Sequence, residues 1–355
     1  MTVAHINRIG TAVPPHDVHR VFVDFMTEGL PEPRQRRLFD RMAQRAGISH
    51  RFSVLAPENL VAANDPNAGF YQRGRFPKTE ARMQIYEKHA PALAMQALAA
   101  LALDNETARI THLVIASCTG FVAPGVDQLI LRGLGLRENV QRTFVGFMGC
   151  SAAIPALRIA QATVLADSQA RVLVVNLELC TLHLQETDDL ETALSFLLFG
   201  DGCAACLVSA DETGIALNDF RCSLVPDSAD LITWRVGNEG FVMHLSGKVP
   251  GYITRALRED LGDLFRGEGS QAIELWAVHG GGKTILDAVE TGLNLPSEAL
   301  SNSRAILNEH GNMSSATVMF VLKRLMETAT AHQQGMAMAF GPGLAVETFR
   351  FRIAG

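Results

Sequence analysis

Three residues of this chain have side chains that together can handle a thioester, and each sits where glycine permits close approach. Cys150 stands in Gly149-Cys150-Ser151-Ala152-Ala153, after the apolar run Thr143 to Met148. His279 follows the apolar segment Ile273 to Val278 and precedes Gly280, Gly281 and Gly282. Asn312 stands between Gly311 and Met313-Ser314-Ser315-Ala316. A thiol opening a helix over 151–166 would feel the positive end of its dipole, which favours the thiolate. An imidazole beside it would hold that thiolate as an ion pair. The amide of Asn312, with His279, can donate to a developing oxyanion, which an ionised carboxylate cannot. Papain-like proteases use the same trio, but their Cys lies near the mature N-terminus in its own signature, and neither feature is present. Instead the trio fits acyl transfer from a thioester to Cys150, followed by decarboxylative carbon–carbon bond formation. It needs no metal or redox cofactor.

The elements that must position these residues alternate in type. Strands are predicted at 111–117, 142–148, 171–177 and 203–209, with helices at 126–134, 151–166 and 190–198, a layered α/β pattern. Upstream, an opening strand spans Val3 to Val13, residues 20–46 read as basic and helical, and a helix runs from Glu80 to Leu103. Residues 56–79, with Pro57, Pro66, Gly69, Gly74 and Pro77, read as a long surface loop. The strand, turn, helix and Gly133-Leu134-Gly135-Leu136 of the first half have a counterpart ending in Gly292-Leu293-Asn294-Leu295. The Cys150 and Asn312 segments also echo one another, both at a spacing of about 160 residues, which predicts a duplicated unit. The expected halves are 1–212 and 213–355, with Cys150 and Asn312 at equivalent helix starts facing one site.

Bulk properties narrow the function classes. The 355 residues are 48% hydrophobic and 19% charged, with a net charge of −6, which argues against a nucleic-acid surface. The N-terminus has no apolar core of signal-peptide length, and Ala90 to Leu103 is too short to span a bilayer. A cytoplasmic protein without membrane insertion is expected. Six cysteines do not make a disulfide framework. Cys203 and Cys206 lie three apart in an apolar strand, where side chains point to opposite faces, so they read as core thiols.

The words Gly311-Asn312-Met313-Ser314-Ser315-Ala316, Phe199-Gly200-Asp201-Gly202 and Gly341-Pro342-Gly343-Leu344-Ala345-Val346-Glu347-Thr348 join the Cys and His segments. Together they resemble the chalcone-synthase-like, or type III, polyketide synthases over nearly the whole chain. The resemblance implies a thiolase-like αβαβα fold of two duplicated halves, a homodimer, and acyl-CoA and malonyl-CoA as substrates without a cofactor. It places the catalytic trio on Cys150, His279 and Asn312, and a cavity-mouth phenylalanine on Phe199. A second gating phenylalanine is replaced here by Met243, a flexible thioether. Cys118, Thr119, Cys180, His183 and Ser314 fall on cavity positions, and Trp234 would shrink one side of the pocket. Ala123 falls where a neighbouring subunit's methionine usually enters. For CoA, the family's basic helix matches Arg41 and Arg45, with Thr284 a further contact and Leu38 in place of a third basic residue. These departures point to a bacterial enzyme with a fatty acyl starter, making an alkylpyrone or alkylresorcinol. Two alternatives remain. One is a ketoacyl-ACP synthase making a single condensation on acyl carrier protein; the other is a non-catalytic acyl-CoA binder on the same scaffold.

Overall fold

The computed structural model describes residues 2–60, 69–259 and 272–355. Its strands in chain order are β1 (His5–Ala12), β2 (His16–Asp17), β3 (Phe52–Ser53), β4 (His112–Ser117), β5 (Gln141–Gly146), β6 (Val172–Leu179) and β7 (Asp201–Ser209). They continue as β8 (Ile215–Leu224), β9 (Ile232–Gly237), β10 (Gly240–Leu245), β11 (Leu275–Val278), β12 (Gln334–Gly341) and β13 (Ala345–Ile353). One sheet runs β11-β12-β13-β8-β1-β7-β6-β4-β5, while β9 and β10 form a separate hairpin.

The two halves repeat one another in order and direction. In the first, β4 runs parallel to β6, β6 antiparallel to β7, and β7 antiparallel to β1. In the second, β11 runs parallel to β12, β12 antiparallel to β13, and β13 antiparallel to β8. The halves join at β1 and β8 through His5 with Ala216 and Ile6 with Ile215.

Side-chain alternation then sorts the strands into layers. Val172, Val174, Ala204, Cys206 and Val208 face a central core with helices Ala153–Ala166 and Ala316–Thr328. Leu173, Val175, Cys203, Ala205 and Leu207 face an outer core under helix Thr79–Ala100. In the second half, Ala337 and Ala339 face the centre, whereas Met336, Met338 and Phe340 face helices Val249–Glu259 and Lys283–Leu293. The result is the five-layered αβαβα arrangement of the thiolase-like fold. Cys203 and Cys206 thus occupy different cores, as two packed thiols. The 18 residues Gly149–Ala166 are long and apolar enough to cross a membrane, with mean hydropathy 1.3. They form the central layer instead, where Ala153, Ala156 and Ala160 are small enough to pack between sheets.

Several expectations change. Residues 20–46 are two helices, His19–Gly29 and Pro33–Arg45, because Pro33 supplies a new first-turn residue rather than continuing the old helix. The 56–79 segment is not purely surface loop. It begins with a helical turn at Pro57–Leu60, and Leu60, Tyr71 and Phe76 are buried; residues 61–68 lie outside the described residues. Strand β5 ends at Gly146, since Phe147 and Gly149 take φ of +57° and +60° and turn the chain back.

Strand β1 lies tightly under helix Thr79–Ala100. A Cβ on Gly10 would overlap the backbone of Ala97 and Leu101. Gly10→Ala is therefore expected to destabilise the fold by about 1–3 kcal/mol, as overpacking does. Urea unfolding checks this, and an unchanged midpoint would contradict the close approach.

Candidate active site

The Cys150 turn is built by contact between the halves. Residues Gly149–Ser151 form a tight turn just before helix Ala153–Ala166. Gly149 must be glycine twice over, through its positive φ and because a Cβ would overlap the Pro342 ring. Gly341 likewise admits no Cβ, which would meet the Ser151 hydroxyl. The Gly149 N–H donates to the Cys118 sulfur at 3.0 Å. The Gly341-Pro342 step of the last motif therefore seats the nucleophile turn.

Asn312 is tied to the first half by its backbone. Its N–H donates to Leu198 O at 2.8 Å, and its carbonyl accepts from Gly200 N–H at 3.0 Å. Its side chain has one orientation, because Oδ1 accepts from Ser314 N–H at 2.8 Å. The amide nitrogen then donates to Gly281 O at 3.2 Å and lies 4.0 Å from Cys150 Sγ. His279 directly follows β11, anchored by its N–H to Met338 O at 2.8 Å. Its ring is 1% exposed, and neither ring nitrogen has a partner among the described residues.

Cys150, His279 and Asn312 all line one chamber. Phe199, Met243, Cys118, Thr119, Cys180, Trp234 and Ser314 line it too. Met243 and Trp234 face each other across the β9–β10 hairpin, and the Trp234 indole donates to Cys118 O at 2.7 Å. His183 is a correction: it stands behind the wall. Its Nε2 bonds Thr119 O at 2.7 Å, its Nδ1 accepts from Phe241 N–H at 3.0 Å, and its ring stacks on Phe241. Ala123 lines a separate outer depression with Phe121 and Phe144, so any reach into a chamber would be into that of a second copy.

An entrance cavity shares Leu245, Val249, Gly281 and Ile285 with the chamber. Arg45 and Thr284 line it, but Arg41 does not. Met42 and Lys283 take that part. Arg41 shares a helix face with Arg45 but lies one turn, about 6 Å, further along the axis from the rim that Arg45 reaches.

Burial pushes the Cys150 thiol up to about 11, outweighing the hydrogen bonds of Ser314 and Asn312. Burial pushes His279 down to about 3. Desolvation thus works against both charges of the expected thiolate–imidazolium pair. Glu178 was missed from the sequence. It is fully buried, accepts from Cys118 N–H and the Thr119 hydroxyl at 2.9 Å each, and is also bonded by Ser315. Burial pushes its carboxyl up to about 7. Its signal was a carboxylate inside the buried run Val172–Leu179, where Asn176 is the other polar residue.

Chalcone and stilbene synthases, N-terminal domain, match residues 2–212, and the C-terminal domain of the same family matches 217–354. The chain belongs to this family, the type III polyketide synthases. This polyketide synthase is 33% identical to the alpha-pyrone synthesis polyketide synthase-like Pks18 of Mycobacterium tuberculosis, over 99% of this chain and 92% of the relative. Its fold superposes on PKS-I from the brown alga Ectocarpus siliculosus with a TM-score of 0.89 and 27% identity, covering 99% of both chains. The C-terminal type III polyketide synthase domain of Steely1 from Dictyostelium gives 0.89 and 25%, covering 99% of this chain and 100% of that one.

Because alkylation requires thiolate, iodoacetamide labelling of Cys150 is expected to accelerate roughly tenfold per pH unit from about pH 7 to about pH 10. Peptide mass spectrometry follows it. A plateau near neutrality would instead establish a resting ion pair.

Proposed function

We propose that Cys150 takes a fatty acyl group from CoA and that malonyl-CoA then extends it by repeated decarboxylative condensation. The observation carrying this reading is the Cys150 sulfur 4.0 Å from the oriented Asn312 amide, in a chamber that His279 also lines. In this reading His279 accepts the thiol proton as sulfur attacks the starter thioester, and returns it to the departing CoA sulfur. A neutral imidazole can then donate, with the Asn312 amide, to the malonyl thioester oxygen. Carbon dioxide leaves and the enolate attacks the acyl-enzyme carbonyl. The new bond expels the Cys150 thiolate, and a chain two carbons longer returns on CoA.

The side chains supply everything these steps use, so the reading includes no cofactor. Arg45 and Lys283 at the entrance suit CoA phosphates. Met243 leaves a flexible gate for an alkyl chain while Trp234 limits one wall, which favours an alkylpyrone or alkylresorcinol. The pyrone is also what the name of the mycobacterial relative mentions. The reading includes a homodimer, since β5 is an edge strand with Phe144 and nearby Phe121 exposed. Free cysteines at all six positions accord with a cytoplasmic location.

Incubation with malonyl-CoA and a panel of acyl-CoA starters, read by mass spectrometry, tests the reaction. An absolute requirement for acyl carrier protein would overturn it. Asn312→Ala is expected to slow CO₂ release from malonyl-CoA by roughly 100- to 1000-fold. Cys150→Ala should abolish the acyl-enzyme mass. Met243→Phe is expected to shorten the preferred starter, visible as a shift in the product series. Phe144→Glu should convert a dimer to monomer in sedimentation analysis, since it charges the exposed edge.

A further inference from the structure

Arg51 is a buried cation that none of the chemistry above uses. It is 1% exposed, and among the described residues no carboxylate forms an ion pair with it. Its guanidinium bonds two carbonyls and one imidazole, and Nη2 has no hydrogen-bond partner among the described residues. Nη1 donates to Phe196 O at 3.1 Å and to Phe199 O at 3.0 Å, while Nε donates to His19 Nδ1 at 2.9 Å. The group lies over the Phe22 ring, 4.1 Å from its centroid. Burying a charge on carbonyls and a ring is costly, and an apolar side chain could fill the space more cheaply.

What that cost holds is the segment between helix Leu190–Phe196 and β7. One side of it binds Arg51 through Phe196 and Phe199. The other side binds the Asn312 backbone through Leu198 and Gly200. Arg51 also touches the far partner, because a Cβ on Gly311 would fall 2.7 Å from Arg51 Cγ and 2.8 Å from Leu198 O. Gly200 is similarly confined, with His310 O at 2.8 Å from a Cβ there. One guanidinium therefore backs both the Phe199 ring at the chamber wall and the strand-like bridge that aims Asn312.

We propose that Arg51 is a positioning residue for decarboxylation, holding the Phe196–Gly200 segment so that the Asn312 amide is aimed at the substrate. The proposal rests on the oxyanion role given to Asn312 above. Leu197 and Leu198 of the held segment also line the entrance cavity, but the Arg51 hydrogen bonds fall on Phe196 and Phe199 instead, so the effect bears on the aim of Asn312 more than on CoA binding.

The test uses CO₂ release from malonyl-CoA by the full chain, comparing Arg51→Lys, Asn312→Ala and the double variant. Lysine keeps the charge but lacks the fork that spans two carbonyls and His19. Arg51→Lys is expected to lower kcat about tenfold while KM for malonyl-CoA moves less than about twofold. In the Asn312→Ala background the same change should cost less than about twofold, since its route is already cut. A further tenfold loss there, or wild-type release by Arg51→Lys, overturns the proposal. Unchanged release in Asn312→Ala alone overturns the oxyanion role, and Arg51 with it, so the two failures are distinct. Should Arg51→Lys not fold, Phe22→Leu removes the ring beneath the guanidinium and leaves Arg51 in place. It is expected to lower kcat about threefold, again only when Asn312 is present; an equal loss without Asn312 overturns the proposal.

Discussion

The structure depends on backbone from two halves of one sheet approaching closely enough to share a buried site. Strand pairing joins those halves at β1 and β8, and the central helices pack between them. At the site the contact is made by turns: Pro342 against Gly149, Asn312 against Leu198 and Gly200, and Met313 against Gly202, where a Cβ would overlap its sulfur. At each point the missing side chain is a geometric necessity. The family's motif words are largely a record of these contacts, which explains why glycine recurs beside each reactive group.

Closeness of this kind excludes water, and dehydration sets the electrostatics. A sulfur, an imidazole and an amide in an apolar chamber are cheapest when uncharged. Burial that raises Cys150 and lowers His279 works against a stored ion pair and favours proton transfer coupled to attack. The carbonyl of a bound thioester then meets donors that need no reorganisation. Glu178, bonded by Ser315 from the second half and by Cys118 and Thr119 from the first, ties the chamber floor to both.

The walls follow the same economy. The β9–β10 hairpin is outside the main sheet, so polar pins fix its place: Trp234 to Cys118, and His183 to Phe241 and Thr119. Arg82 repeats the Arg51 device beneath this hairpin, donating to Leu182 O and Leu184 O while fully buried. Cations on carbonyls thus brace segments that regular secondary structure does not reach.

The strands and central helices were legible because alternation and apolar runs are local properties of the chain. So was the chemical trio, since glycine-flanked Cys, His and Asn at strand ends carry their meaning in a few neighbours. One placement failed. His183 occupies the expected position along the chain, but which side of a wall a side chain stands on depends on packing from distant segments. The entrance erred by a turn of helix, giving Arg45 but not Arg41, because helical spacing fixes which residues share a face but not how far along the axis the cavity rim extends. The shifts at Cys150 and His279 were likewise beyond reach, since a pKa depends on desolvation by residues distant in the chain. Sequence alone determined which groups could react and which elements would carry them. Tertiary structure decided their protonation, their orientation and which neighbours face the chamber, because burial and aim arise only when the two halves close on each other.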